Sequence, residues 1–325
     1  MNSPDRQIKL LGRNELGEGW GFEKSRIILD RYDKISSNQR STFDAMDEGK
    51  NMYRPYHEFK YRHADGDEFT VIAHRGASAY YPENTLAAFQ GAIDLQADMI
   101  ELDVQQTSDG NVVVFHDERV ARCTDGRGRL TDYTLAGLKK LDAGKWFSED
   151  FRGERIPTLE ETLELTSGKI ALNIEIKTEA VSDVVLGGIE EKCIKAVYQA
   201  GVQKHVVFSS FDPRALLHLR QIDNTVSTSV LYHRRYHQGK TPSQTLTMLG
   251  ANAFNCSLRE LSRKRLENIL SHGIPFNVYT VNDEASMLRL FVWQAGGIFT
   301  NYPDILRKAR DAFRLRGRKD ERSIP

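Results

Sequence analysis

Met99-Ile100-Glu101-Leu102-Asp103-Val104 is the stretch that decides the fold. Successive side chains of an extended chain point to opposite faces. Ile100, Leu102 and Val104 therefore share one face, and Glu101 and Asp103 share the other. A later run, Ala171-Leu172-Asn173-Ile174-Glu175-Ile176-Lys177, repeats the design. There Leu172, Ile174 and Ile176 point one way, and Asn173, Glu175 and Lys177 point the other. Helix-like segments intervene between such runs, which is the pattern of a parallel sheet covered on both faces. The carboxylates would then be partly buried.

Working outward, Val71-Ile72-Ala73-His74-Arg75-Gly76 and Pro82-Glu83-Asn84-Thr85 precede the first run, and Val112-Val113-Val114-Phe115-His116-Asp117 follows it. From Thr70 onward the chain alternates apolar strand-like runs with amphipathic segments. Strands are expected at 70–74, 99–105, 170–177, 205–211, 225–232, 251–256, 275–281 and 297–300. The amphipathic segments include 85–95, 182–200, 213–221, 259–272 and 283–294. Eight strands with helices between them match a (β/α)8 TIM barrel in count and size. An open doubly wound sheet is the alternative, but the glycine fingerprint expected after its first strand is missing.

One connection is irregular. Between residues 109 and 166 lies a long excursion: a hairpin-like Asp109-Gly110-Asn111, a strand ending at His116, then Asp125-Gly126-Arg127-Gly128 and a short helix near 134–141. It reads as a small subdomain inserted after the second strand, over the barrel mouth. The next helix is expected to start near Thr158. The expected organisation is an N-terminal extension over 1–68, the barrel over 69–316 and a polar tail over 317–325. A helix between Phe22 and Met46, with Ile27, Ile28 and Tyr32 on one side, is expected in the extension.

Composition sets outer bounds. The 325 residues are 40% hydrophobic and 28% charged, as in soluble globular proteins. Formal net charge is zero, so no basic field argues for nucleic acid or an anionic membrane surface as partner. No stretch approaches the roughly 20 apolar residues of a membrane span. Cys123, Cys193 and Cys256 are scattered, which disfavours a disulfide framework or a zinc knuckle. The opening Met1-Asn2-Ser3-Pro4-Asp5-Arg6 does not look like a secretory signal. A reducing, cytoplasmic setting is expected.

The buried carboxylates carry the chemical expectation. Desolvating one unpaired carboxylate costs several kcal/mol, and three close together also repel. One divalent cation removes the difficulty, and oxygen ligands suit Mg2+ or Ca2+ better than zinc. Each piece alone has a plainer reading: a solvated carboxylate, a Lys177–Glu175 ion pair, a turn-forming Asp117. Their joint spacing on successive strands favours metal-assisted acid/base chemistry on a phosphate ester. In a barrel such a site sits at the C-terminal strand ends. His74, Glu101, Asp103, Glu175 and Lys177 lie near those ends, as do Ser209, Tyr232, Asn255, Tyr279 and Asn301.

The residues resemble the glycerophosphodiester phosphodiesterase family over roughly 70–312. The motifs are His74-Arg75-Gly76, Pro82-Glu83-Asn84-Thr85, Glu101-Leu102-Asp103-Val104, His116-Asp117, Glu175-Ile176-Lys177 and Tyr279-Thr280-Val281-Asn282. The resemblance implies a TIM barrel that hydrolyses a small glycerophosphodiester to glycerol 3-phosphate and an alcohol, with a bound divalent cation. Carried over, Glu101, Asp103 and Glu175 look like the metal ligands, His74 and His116 like the acid/base pair, and Arg75 and Lys177 like the phosphate-binding cations. Tyr279 stands where the family often has Trp, and Asn301 where Asp is frequent. A lysophospholipase D, with Tyr80, Tyr81, Trp146 and Phe147 lining an apolar groove, is the alternative enzyme. A non-catalytic phosphodiester-binding protein on the same fold is the other.

Overall fold

The computed structural model describes residues 69–237 and 239–321. The extension 1–68 and its expected helix lie outside them. The strands are β1 (Thr70–His74), β2 (Met99–Gln106), β3 (Val112–Val114), β4 (Ala171–Ile176), β5 (Val206–Ser210), β6 (Ser227–Leu231), β7 (Ala253–Ser257), β8 (Phe276–Tyr279) and β9 (Gly297–Thr300). All but β3 run parallel, and β1 pairs with both β2 and β9. That double pairing closes an eight-stranded (β/α)8 barrel, as the strand count implies. Several strands end a residue or two inside the expected bounds, because the apolar pattern outlasts the ladder.

The intervening helices are α1 (Leu86–Asp94), α2 (Leu135–Leu138), α3 (Leu159–Thr166), α4 (Ile189–Gln199), α5 (Pro213–Ile222), α6 (Arg234–His237), α7 (Pro242–Leu249), α8 (Arg263–Ser271), α9 (Glu284–Val292) and α10 (Pro303–Glu321). Their starts follow local chemistry. Thr85 caps α1 by accepting from the Ala88 amide, and Thr158 forms a capping box with Glu161 at α3. The amphipathic segments named above do not include α7, although Thr241 and Gln244 make a capping box there and Pro242 occupies the first turn. α10 continues past residue 316 to Glu321, so the expected tail begins inside a helix.

The alternation in β2 and β4 sorts the barrel. Ile100, Leu102, Val104, Leu172, Ile174 and Ile176 face outward and are buried in the main core with the helices. Fully burying one such side chain contributes about 1.5–3 kcal/mol, and a one-residue slip would turn all of them inward. The register is therefore strongly specified: His74 lies beside Glu101, Glu101 beside Asn173, and Asp103 beside Glu175. Inward-facing Ile72, Met99, Ala171, Val207 and Phe299 plug the barrel interior.

The excursion is a small subdomain with its own core of Val113, Phe115, Val120, Cys123, Leu130, Leu138, Ala143 and Ile156. β3 pairs antiparallel with the C-terminal half of β2 and ends at Val114, not at the expected His116. Phe115 still donates its amide to the Asp103 carbonyl of β2 at 2.9 Å. Gln105 Nε2 then donates to the carbonyls of Phe115 and Asp117 at 3.0 and 2.8 Å, fixing the backbone on either side of His116. All three cysteines are unbridged and buried. Among the described residues, no helix is long and apolar enough to cross a membrane.

Candidate active site

The site grows from the point where the chain leaves β1. Arg75 and Gly76 have φ of 56° and 84°, a left-handed corner that an L side chain rarely adopts. A Cβ on Gly76 would stand 2.6 Å from the Ala88 carbonyl oxygen, so the glycine is needed for close approach to α1. The corner aims the Arg75 amide at Glu101 Oε2 (3.0 Å). The Arg75 guanidinium donates through Nη1 to Glu83 Oε1 at 2.7 Å, and its Nε lies 3.4 Å from Asp103 Oδ2. Asn84, also left-handed at φ 57°, donates to Asp103 Oδ2 at 2.9 Å.

β2 and β4 place Glu101, Asp103 and Glu175 together, each buried and each offering an oxygen within 4.8 Å of the others. Lys177, just past β4, donates to Glu175 Oε1 at 2.8 Å and lies 3.4 Å from Asp103 Oδ1. Asp103 Oδ1 is buried and has no hydrogen-bond partner. Burial and the neighbouring Asp103 and Glu175 push the Glu101 carboxyl well above its ordinary range. Burial and Asp103 likewise raise Glu175, despite Lys177. Asp103 goes the other way: against burial, Lys177 and Arg75 hold it well down. The three oxygen donors could hold a divalent cation, which would offset the repulsion among them.

The two histidines flank this cluster. His74 Nδ1 is 2.8 Å from Asn301 Oδ1, an acceptor that requires the proton on Nδ1 and leaves Nε2 open. That Nε2 lies 4.0 Å from Glu101 Oε2. Burial, then Arg75, lower the His74 pKa to about 4, so the ring is neutral near pH 7. His116 is anchored through Nδ1 to Asp117 Oδ1 at 2.6 Å. All seven expected site residues are thus drawn to the C-terminal end of the barrel on β1, β2, β4 and the insertion.

Other expectations change. Asp117 is more than a turn residue: it holds a histidine. Tyr232 does not face the rim; its ring is buried in the outer layer under Arg265, which donates to its hydroxyl at 2.6 Å. The segment after β6 is the short helix α6, with His237 stacked on Tyr232. Of the four residues offered as an apolar groove, Tyr80 pairs with Tyr302 and bonds Asp304, whereas Tyr81, Phe151, Phe147 and Trp146 form a separate edge-to-edge chain. Glu83, Asn84, Arg122 and Asn301 take part in the site without having been assigned roles. Asn84 and Glu83 could have been noticed from the motif holding them; Arg122 has one partner nearby, Asp117, and a second, Glu83, 39 residues away.

A closed barrel with its polar cluster at the C-terminal strand ends has the layout of a (β/α)8 enzyme. The model of the glycerophosphoryl diester phosphodiesterase family matches residues 74–305. A glycerophosphodiester phosphodiesterase of Bacillus subtilis is 37% identical over 268 residues, spanning 76% of this chain and 88% of the relative. One from Caldanaerobacter subterraneus is 40% identical over 237 residues, 73% and 95% of the two chains. A solved phosphodiesterase from Oleispira antarctica, in complex with the product sn-glycerol-3-phosphate, superposes with a TM-score of 0.65 at 30% identity, covering 74% of this chain and 96% of that one. The chain belongs to the glycerophosphoryl diester phosphodiesterase family and is a phosphoric diester hydrolase.

Proposed function

We propose that the protein hydrolyses small glycerophosphodiesters to glycerol 3-phosphate and an alcohol, using one divalent cation, Mg2+ or Ca2+, and His74 and His116 as its acid/base pair. The observation that carries this reading is the buried Glu101–Asp103–Glu175 cluster, in which Asp103 Oδ1 accepts no hydrogen bond. Charge supports it. Among the described residues, Glu83, Glu101, Asp103, Asp117 and Glu175 are met by Arg75, Arg122, Lys177 and, when protonated, His116. The carboxylates outnumber these cations, and a divalent ion would offset the excess negative charge. Held there, the ion would supply Lewis-acid withdrawal of charge from a non-bridging phosphoryl oxygen.

The chain's own residues account for the rest. Arg75 presents a planar fork suited to phosphate oxygens, and Lys177 adds a point charge from the end of β4. His74, held neutral with Nε2 open, fits the base that takes a proton from the attacking water or from the substrate's 2-hydroxyl. His116 then gives a proton to the leaving alkoxide, with Asp117 fixing its ring. Such transfers contribute about 10²–10⁴-fold in rate. The product of the Oleispira antarctica protein, sn-glycerol-3-phosphate, agrees with this substrate class. Product analysis with glycerophosphocholine tests it: glycerol 3-phosphate should appear with added cation and disappear with EDTA. Release only from a lysophospholipid would instead select the lysophospholipase D reading.

A further inference from the structure

Arg122 lies on the turn Val120–Arg122 of the insertion, whose backbone is anchored by the buried Val120. Its guanidinium grips two carboxylates at once. Nε and Nη2 donate to Asp117 Oδ2 and Oδ1 at 2.6 and 2.9 Å. Nη1 and Nη2 donate to Glu83 Oε2 and Oε1 at 2.8 and 2.7 Å. A guanidinium has five N–H donors, and these contacts use four, so Arg122 is not arranged to clasp a phosphate itself.

Each carboxylate passes the constraint onward. Asp117 Oδ1 holds His116 Nδ1 at 2.6 Å, and Glu83 Oε1 holds Arg75 Nη1 at 2.7 Å. Arg75 in turn approaches Asp103. One unbroken line of charged hydrogen bonds therefore runs from His116, in the insertion, to Arg75, at the end of β1, with Arg122 at its centre. Bidentate pairing fixes orientation as well as distance, and a lysine ammonium cannot reproduce it.

We propose that Arg122 is a positioning residue: it ties the insertion to the loop before α1 and locks the His116 imidazole so that Nε2 faces the substrate. This rests on the acid/base role of His116 proposed above. The Arg122 side chain is 44% exposed, and ion pairs this exposed add little to stability. Removing it should therefore leave the fold standing while freeing His116. A misplacement of about 1 Å can cost on the order of 10²-fold in rate.

The test compares Arg122→Gln, Arg122→Lys, Asp117→Asn and the Asp117→Asn/Arg122→Gln pair in the full chain. Three readouts are taken: steady-state turnover of glycerophosphocholine, thermal midpoint, and exchange of the His116 Nδ1 proton by NMR on 15N-histidine-labelled protein. Arg122→Gln should lower kcat by about 10- to 100-fold with KM nearly unchanged, the signature of an interaction that matters in the transition state. Its midpoint should stay near that of the wild type, and Arg122→Lys should not restore the rate. Adding Arg122→Gln to Asp117→Asn should cost little more, since both act through one ring. The His116 Nδ1 proton, protected in the wild type, should exchange rapidly in Arg122→Gln. Full rescue by lysine, a rate loss that follows the midpoint, additive losses in the pair, or an unchanged Nδ1 proton would each overturn the proposal. A wild type without turnover would sink the activity reading, and the proton-exchange result would still decide the role of Arg122.

Discussion

Single residues carry the chemistry here because the barrel holds opposing charges too close to be comfortable without one another. Glu101 and Glu175 are pushed up by burial and mutual repulsion, while Asp103, clasped by Lys177 and Arg75, is held down. Replacing His74 or His116 with Ala should lower kcat by about 10²–10⁴-fold and leave circular dichroism and the thermal midpoint close to wild type. Two single variants with near-normal rates would dismiss the pair. A different histidine governs stability. His237 is buried against Tyr232 with Nε2 unpartnered, and burial lowers its pKa. Its unfolded-state pKa is about 6.5, so the unfolded chain takes up the proton first as the pH falls. The stability this group contributes is present above that pH and is lost below it. The midpoint advantage of wild type over His237→Phe should therefore shrink between pH 7 and pH 5. These residues differed in how visible they were. Glu101, Asp103 and Glu175 stood out because a charge inside an apolar alternation is anomalous, whereas the Arg122–Glu83 and His74–Asn301 bonds join residues 39 and 227 positions apart.

At the scale of elements, the alternation of β2 and β4 was the most legible feature, since a strand covered on both faces must place its two side-chain sets oppositely. β3 was read too long: the strand ends at Val114, although Phe115 continues the apolar run and its amide still reaches the Asp103 carbonyl. α7 was passed over even though its capping box is local, because polar residues dilute its apolar face. The corner after β1 is the element most sensitive to change. Gly76→Ala adds a Cβ at 2.6 Å from backbone and puts a side chain at φ 84°. A loss of several kcal/mol is expected from the combined clash and strain, read as a lower urea midpoint or as insoluble protein. Thr158→Ala, which removes one half of the α3 capping box, should cost only about 1 kcal/mol. A Gly76→Ala variant as stable as Thr158→Ala would contradict the close-approach account.

For the whole molecule, closure of the barrel followed from strand count, but which strands meet at the seam did not. The β1–β9 pairing sets Thr70 against Gly297 and depends on every element between them. The same closure brings β1, β2, β4 and the insertion to one mouth, so folding and the proposed metal site are linked. A cation that binds only the folded chain stabilises it by about 2.7 kcal/mol at a hundred times its Kd. Mg2+ or Ca2+ should raise the thermal midpoint, EDTA should reverse the rise, and Glu175→Gln should abolish most of it. The most direct measurement of the central claim is release of glycerol 3-phosphate from glycerophosphocholine by wild type and Glu175→Gln, each with Mg2+, with Ca2+ and with EDTA. The account predicts release by the wild type with at least one cation, none with EDTA, and little by Glu175→Gln under any condition. Undiminished release in EDTA, or equal release by Glu175→Gln, would contradict it.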